Sequence, residues 1–220
     1  MTSLRKYSLA AGIFYLLTFV SIPTLSLYRS VRGPGFVTGP GPDTPVIVGA
    51  LLEMIVALAG IGTAVALYPV VRRVGEARAV GFIASRTLEA ATIYVGIVSL
   101  MSIVALRRGG AGAAALVAGQ SLAAQYQYTF FFAQSFIPAL NGVLLGSLLY
   151  QSRLVPRWLP VLGLIGAVLL VALWFAVLVG AVTATSHVAA ILTLPIAVWE
   201  FSLGVYLTFW GFKSSLIAGM

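Results

Sequence analysis

Apolar runs of about 20 residues recur along this chain, and short stretches holding most of its charges separate them. A run of that length crosses a hydrocarbon core of about 30 Å as a helix. None of the runs alternates with the two-residue period of a strand. Backbone groups in lipid must also find their partners within the segment, which helices achieve. The pattern predicts an all-α integral membrane bundle of six transmembrane helices, forming a single transmembrane domain over 1–220. The expected spans cover about 7–28, 46–71, 79–106, 122–150, 159–182 and 188–212. The segment 29–45 is rich in Gly and Pro (Gly33, Pro34, Gly35, Gly39, Pro40, Gly41, Pro42) and reads as a loop. The Ala/Gly stretch to Gly119 reads as a loop or a short surface helix.

The positions of the basic residues orient the spans. With the N-terminus inside, the inner segments hold Arg5, Lys6, Arg72, Arg73, Arg78, Arg153, Arg157 and Lys213. The outer loops hold Arg29, Arg32, Arg107 and Arg108. This bias predicts that both termini are cytoplasmic. Trp158 and Trp210 fall near the inner boundary, where indole rings favour the headgroup region. The start, Arg5 and Lys6 before an apolar run, resembles a signal peptide. The run continues to about Tyr28 without a small-residue cleavage site, so a retained first helix is expected. No internal repeat of the kind many transporters carry is evident.

Composition narrows the function. The chain is 60% hydrophobic and only 8% charged, against about 25% charged in a soluble domain. Its net charge of +8 sits in short loops between spans, which points to the lipid bilayer as partner and not to nucleic acid. There is no cysteine, which excludes disulfides and thiolate chemistry. His187 is the sole histidine and Asp43 the sole aspartate. Bis-histidine haem, two-histidine zinc motifs and an intramembrane aspartate dyad are excluded with them. No phosphate-binding glycine motif is present. No metal site and no cofactor is expected.

Four ionisable residues interrupt the spans: Glu53, Arg86, Glu89 and Glu200. A charge near the bilayer centre costs about 2.5–3.5 kcal/mol on insertion scales, so such residues face the bundle interior and find partners. A rise of about 1.5 Å per residue places Glu53 roughly 10–12 Å below the outer boundary and Glu200 roughly 18 Å below it. Glu89 comes roughly 15 Å above the inner boundary, with Arg86 about one turn nearer the cytoplasm. Asn141, on span four, falls at a level similar to that of Arg86. Arg86 and Glu89 share a helix face, and Arg86 is expected to pair with Glu89, with Glu200, or with both.

The functional reading is a polar pocket with Glu53, Glu89 and Glu200 around Arg86, and with Glu53 on its outer side. Three carboxylates against one guanidinium require a proton on at least one of them or a cation that completes the site. The competing reading is a buried ion-pair network that fixes helix packing. Span four adds Gln125, Tyr126, Gln127, Tyr128, Gln134 and Ser135. These form either a polar wall of the same pocket, with Gln134 facing the interior, or an outer interfacial belt. Pro138 should kink that span.

Several strings resemble a bacterial multi-span membrane family filed under domain of unknown function 4386. They are Gly49-Ala50-Leu51-Leu52-Glu53, the stretch from Gly62 to Pro69, and Ser85-Arg86-Thr87-Leu88-Glu89-Ala90. Two more follow, from Leu148 to Trp158 and from Leu194 to Glu200. The string Tyr150-Gln151-Ser152-Arg153-Leu154-Val155-Pro156-Arg157 is the most specific. The resemblance implies a multi-pass protein of the bacterial cytoplasmic membrane, with recurrent polar positions at Glu53, Arg86, Glu89 and Glu200. It implies no named activity. Where relatives often carry histidine-aspartate-tryptophan, this chain has Tyr126-Gln127-Tyr128, so chemistry done there by relatives would be lost here.

Three functions fit these observations. The first is a binder or transporter of a small molecule or cation, using the Glu/Arg pocket. The second is an intramembrane enzyme acting on a lipid-soluble substrate, although no nucleophile–base pair stands out. The third is a structural or partner-binding membrane subunit. A cavity containing the carboxylates favours the first two, and a tightly packed bundle with paired charges favours the third.

Overall fold

The computed structural model describes residues 3–213 apart from 34, 111 and 185, and does not extend to the side chains of Ala113 and Gln134. Pro34 of the expected loop, the Gln134 side chain and the last seven residues therefore lie outside the described residues. Every regular element among the described residues is helical.

The first apolar run is not one straight helix. Helix α1 (Ser3–Leu17) passes into a 3-10 turn (Thr18–Ser21) and then a short α2 (Thr24–Leu27). Pro23 explains the break, because it has no N–H to donate and its ring crowds the carbonyl four residues back. The hydroxyls of Thr18 and Thr24 donate to Tyr15 O and Ser21 O, both at 2.7 Å, and satisfy carbonyls that the broken ladder leaves. Beyond it the chain turns through the Gly/Pro-rich loop. The Arg107 guanidinium ties that loop down by donating to the carbonyls of Gly39 and Gly41, and it pairs with Asp43 at 3.0 Å.

Helix α3 (Thr44–Val71) begins with Pro45 in its first turn, where the missing N–H is not needed. Helix α4 (Glu76–Arg108) starts after the extended Gly75 and ends with two arginines in its last turn. Those arginines suit the negative end of the helix dipole. Helix α5 (Gly112–Phe131) starts in the Ala/Gly stretch expected as a loop or short surface helix. Alanine is the strongest helix former, and neighbouring helices supply the packing that the short-range pattern does not show.

A π turn (Phe132–Phe136) joins α5 to α6 (Ile137–Ser152). The Ile137 N–H reaches back to Phe132 O, five residues away. Pro138 follows at once and cannot donate to the preceding turn, so the chain widens there by one residue. The helix α7 (Trp158–Leu178) and α8 (His187–Phe209) complete the chain. The Ser186 hydroxyl caps α8 by accepting from the Ala189 N–H at 3.2 Å.

Among the described residues, five helices are long and apolar enough to cross a membrane: Ser3–Leu27 taken together, α3, α4, α7 and α8. The expected fourth span is not among them. Its outer part, α5, carries Gln120, Gln125 and Gln127, and the π turn separates it from α6, which at 16 residues reaches only about 24 Å alone.

The helices α1, α3, α4, α6, α7 and α8 close into a ring, each packed on the next, and α8 returns to α1. Helix α5 packs beside α4. Lipid tails are as apolar as leucine, so close backbone approach carries much of this packing. A Cβ on Gly166 would lie 2.8 Å from Ile196 N, and one on Gly12 would lie 2.8 Å from Gly204 O. These glycines let α7 and α1 sit directly against α8.

At one end of the bundle the Arg5 guanidinium donates to Leu207 O at 3.0 Å and Thr208 O at 2.6 Å, so the start of α1 and the end of α8 lie together. Arg72, Arg73, Arg78, Arg153 and Arg157 border the same end of their helices. Between this basic end and the middle of the bundle lies a close-packed apolar core that includes Leu67, Val71, Phe82, Leu145, Leu148, Leu149, Leu203 and Leu207.

Candidate functional site

Above that core the packing opens around Arg86. This residue projects from the middle of α4 and is 2% exposed. Its guanidinium rests on two aromatic rings, Tyr15 of α1 at 5.4 Å and Phe82 one turn earlier on α4 at 5.6 Å. The ring faces form a floor that favours a cation and separates it from the apolar core.

Two carboxylates hold the guanidinium from above. Nη1 donates to Glu89 Oε2 at 2.9 Å, and Nη2 donates to Glu200 Oε1 at 2.6 Å. The i,i+3 spacing on α4 brings Glu89 to Arg86, whereas Glu200 arrives from α8 across the ring. Asn141 of α6 donates through Nδ2 to Glu89 Oε2 at 2.7 Å. Three helices, α4, α6 and α8, thus meet at the Arg86–Glu89 pair. Five donors on Arg86 cannot all be met by one neighbouring carboxylate, and the second carboxylate comes from another helix.

The other two oxygens matter more for function. Glu89 Oε1 and Glu200 Oε2 make no hydrogen bond among the described residues. Both side chains line a cavity of about 250 Å³. Its walls are mainly apolar, with Phe19 and Ile22 from the broken first span, Val56 from α3, Ile93 from α4, Phe130 from α5 and Ile196 from α8. The cavity runs from Arg86 away from the basic end, as far as Thr24 and Leu25. One guanidinium against two carboxylates leaves a formal charge of −1 if both are ionised. Such a charge is costly in a low-dielectric interior unless a proton or a cation joins it.

Both irregular stretches of backbone border this cavity. The 3-10 turn contributes Thr18, Phe19 and Ser21, and the Phe130 and Pro138 side chains flank the π turn. Non-helical backbone at membrane depth is tolerated where protein or a cavity surrounds it, and π turns occur often at functional sites.

Glu53 does not join Arg86. The structure places it further along α3, 7% exposed, with Oε1 accepting from the Tyr126 hydroxyl at 2.8 Å. It lines a separate small cavity of about 20 Å³. Tyr126 and Tyr128 divide the expected choice between pocket wall and interfacial belt: Tyr126 is 2% exposed and Tyr128 is 64% exposed. A helix turns about 200° over two residues, so the two rings face opposite ways. The side chain of Gln134 lies outside the described residues. Among the described residues, no three His, Cys, Asp or Glu side chains are grouped to hold a metal ion.

Tyr15, Tyr28 and Arg32 also take part and carry no signal in the sequence. Tyr15 lies inside the first apolar run, Tyr28 at its end, and Arg32 in the loop that follows. In the structure the Tyr28 ring meets Tyr126 edge-on at 5.4 Å. The Arg32 guanidinium lies over Tyr126 at 5.3 Å and Phe130 at 5.9 Å.

Fold and site together define a helical membrane protein with a buried arginine–carboxylate centre beneath an apolar-walled cavity. The chain belongs to the family described as Domain of unknown function (DUF4386), whose sequence profile matches residues 10–211. No curated protein and no solved structure matches the chain.

Proposed function

We propose that this protein binds a small organic cation within the membrane, with the cavity above Arg86 as the site. The observation that carries the reading is the pair of oxygens, Glu89 Oε1 and Glu200 Oε2, which accept no hydrogen bond among the described residues and lie beside a cavity of about 250 Å³. The ammonium of the ligand sits against these oxygens and offsets their excess negative charge. Its apolar body lies between Phe19, Phe130 and the aliphatic walls, and aromatic faces favour the cation further. Arg86 positions both carboxylates, and Asn141 fixes the orientation of Glu89. Glu53 stands apart from this site, beside the neighbouring small cavity.

In this reading the chain crosses the membrane six times, with the α5–α6 run as the fourth span and both termini in the cytoplasm. The membrane is the bacterial cytoplasmic membrane. The ligand enters from the side opposite the basic end, because the core under Arg86 is close-packed. A transport cycle would need a second conformation that opens this core. The breaks at Pro23 and at the π turn supply two places where the walls can bend.

Calorimetric titration of the purified protein with benzyltrimethylammonium tests the reading, with neopentylbenzene as the uncharged molecule of the same shape. The cation is expected to bind, the hydrocarbon to bind at least tenfold more weakly, and Glu200→Gln to weaken the cation selectively. Absence of binding by both probes, or equal binding, would assign the Arg86 centre to helix packing alone.

A further inference from the structure

Glu53 is a buried carboxyl that the Arg86 centre does not use. Its Oε1 accepts from Tyr126, and its Oε2 is buried without a hydrogen-bond partner among the described residues. The nearest cation, Arg32, is turned onto the ring faces of Tyr126 and Phe130. Tyr28 approaches from the segment after α2, and its ring packs where a Cβ on Gly49, one turn before Glu53, would stand. Its hydroxyl is likewise buried without a partner among the described residues. The titratable groups facing Glu53 are therefore Tyr28, Tyr126 and Arg32, and none makes an ion pair with it. An ionised carboxylate in such a place has no cation paired with it, whereas the neutral acid carries a proton on its one unmatched oxygen.

The small cavity beside Glu53 holds about 20 Å³, which is the room one water needs. Thr92, Thr129 and Ser21 line it along with Glu53, so the water has polar neighbours. The same space adjoins the larger cavity, since Ser21, Val56, Ile93 and Phe130 line both. The sequence builds this alignment. Glu53, Val56, Ala57 and Gly60 fall on one face of α3, and a Cβ on Gly60 would lie 3.9 Å from Arg86 Cδ. Seven residues of helix separate Glu53 from that level by roughly 10 Å.

We infer that Glu53 is a proton-binding site that exchanges its proton with the main cavity through a water held between them. In the loading direction the Oε2–H bond of Glu53 breaks, the proton passes to this water, and further waters in the main cavity relay a proton to the free oxygen of Glu89 or Glu200. Glu53 is left as a carboxylate with the Tyr126 hydroxyl on Oε1, and the cavity loses one negative charge. The reverse transfer restores that charge, so the proton and an organic cation compete for the same carboxylates. This last step rests on the proposed ligand site, but the protonation of Glu53 does not.

Infrared spectroscopy of the reconstituted protein, recorded in H2O and in D2O without any ligand, tests the inference. The wild type should show the carbonyl stretch of a protonated carboxylic acid, shifted to lower frequency in D2O. Glu53→Gln should remove a carboxylic-acid component that Glu200→Gln keeps. Tyr126→Phe, which takes away the hydrogen bond to Oε1, should move it to higher frequency, and this variant gives the answer even if Glu53→Gln does not fold. Identical carboxylic-acid regions in the wild type and these two Glu53-site variants would overturn the proton site. A band that D2O leaves unmoved would overturn the exchange through water. Neither result depends on whether benzyltrimethylammonium binds.

Discussion

Arg86 on α4 and Glu200 on α8 are joined by a hydrogen bond of 2.6 Å across the middle of the helix ring. Glu89 shares the same guanidinium at 2.9 Å. Removing the guanidinium leaves two partly buried carboxylates facing each other. Arg86→Ala should therefore lower stability by about 3–5 kcal/mol, the usual cost of breaking a buried pair from one side. Removing Arg86 and Glu200 together should cost less than the two single losses added. Unfolding in mixed micelles would measure the cycle, and additive losses would contradict a direct coupling.

The level at which these groups meet was legible in the sequence. Depth along a helix follows from its ends and a fixed rise, so Arg86, Glu89, Asn141 and Glu200 could be placed near one plane. Rotation about the helix axis was not legible, and it decides which neighbour a side chain meets. Glu53 thus turns to Tyr126 and Tyr28 and not to Arg86. The break at Thr18–Pro23 was hidden inside a continuous apolar run, because hydropathy registers composition and not backbone bonding. Pro138 did announce an irregularity, yet the outcome is a π turn before it. Which of two adjacent turns absorbs a proline depends on what packs against it.

Gly163 tests the close contact of α7 with α8. A Cβ there would lie 2.5 Å from Trp199 Cδ2, and the Trp199 ring is fully buried beside Glu200. Gly163→Ala should destabilise the bundle by about 1–3 kcal/mol through overpacking. Gly35, where a Cβ meets nothing within 4 Å, should tolerate alanine within about 0.5 kcal/mol. Thermal unfolding of both variants checks this, and equal midpoints would argue against the tight α7–α8 seam.

Asp43 anchors the far end by pairing with Arg107 at 3.0 Å and Arg108 at 2.8 Å. Arg108 is largely exposed, so the global effect of Asp43→Ala should stay near 1 kcal/mol or below. The local effect should be larger, with faster hydrogen exchange across 36–43. Unchanged exchange there would show that the arginine–carbonyl contacts hold the loop without Asp43.

The proposed topology agrees with Arg5, which ties the start of α1 to the end of α8. Reporters fused after Met220 and inserted within 33–42 should report opposite sides of the membrane, with the Met220 fusion cytoplasmic. Matching signals would contradict the six-span arrangement.

The cation site itself is tested most directly by seeing the cation in it. Crystals of the protein grown with 4-bromobenzyltrimethylammonium would reveal the ligand through the anomalous signal of bromine. The account predicts a bromine peak between Phe19 and Phe130, with the ammonium against Glu89 Oε1 and Glu200 Oε2, and loss of that peak in Glu200→Gln. An empty cavity at saturating probe, or an ammonium turned away from both carboxylates, would contradict it.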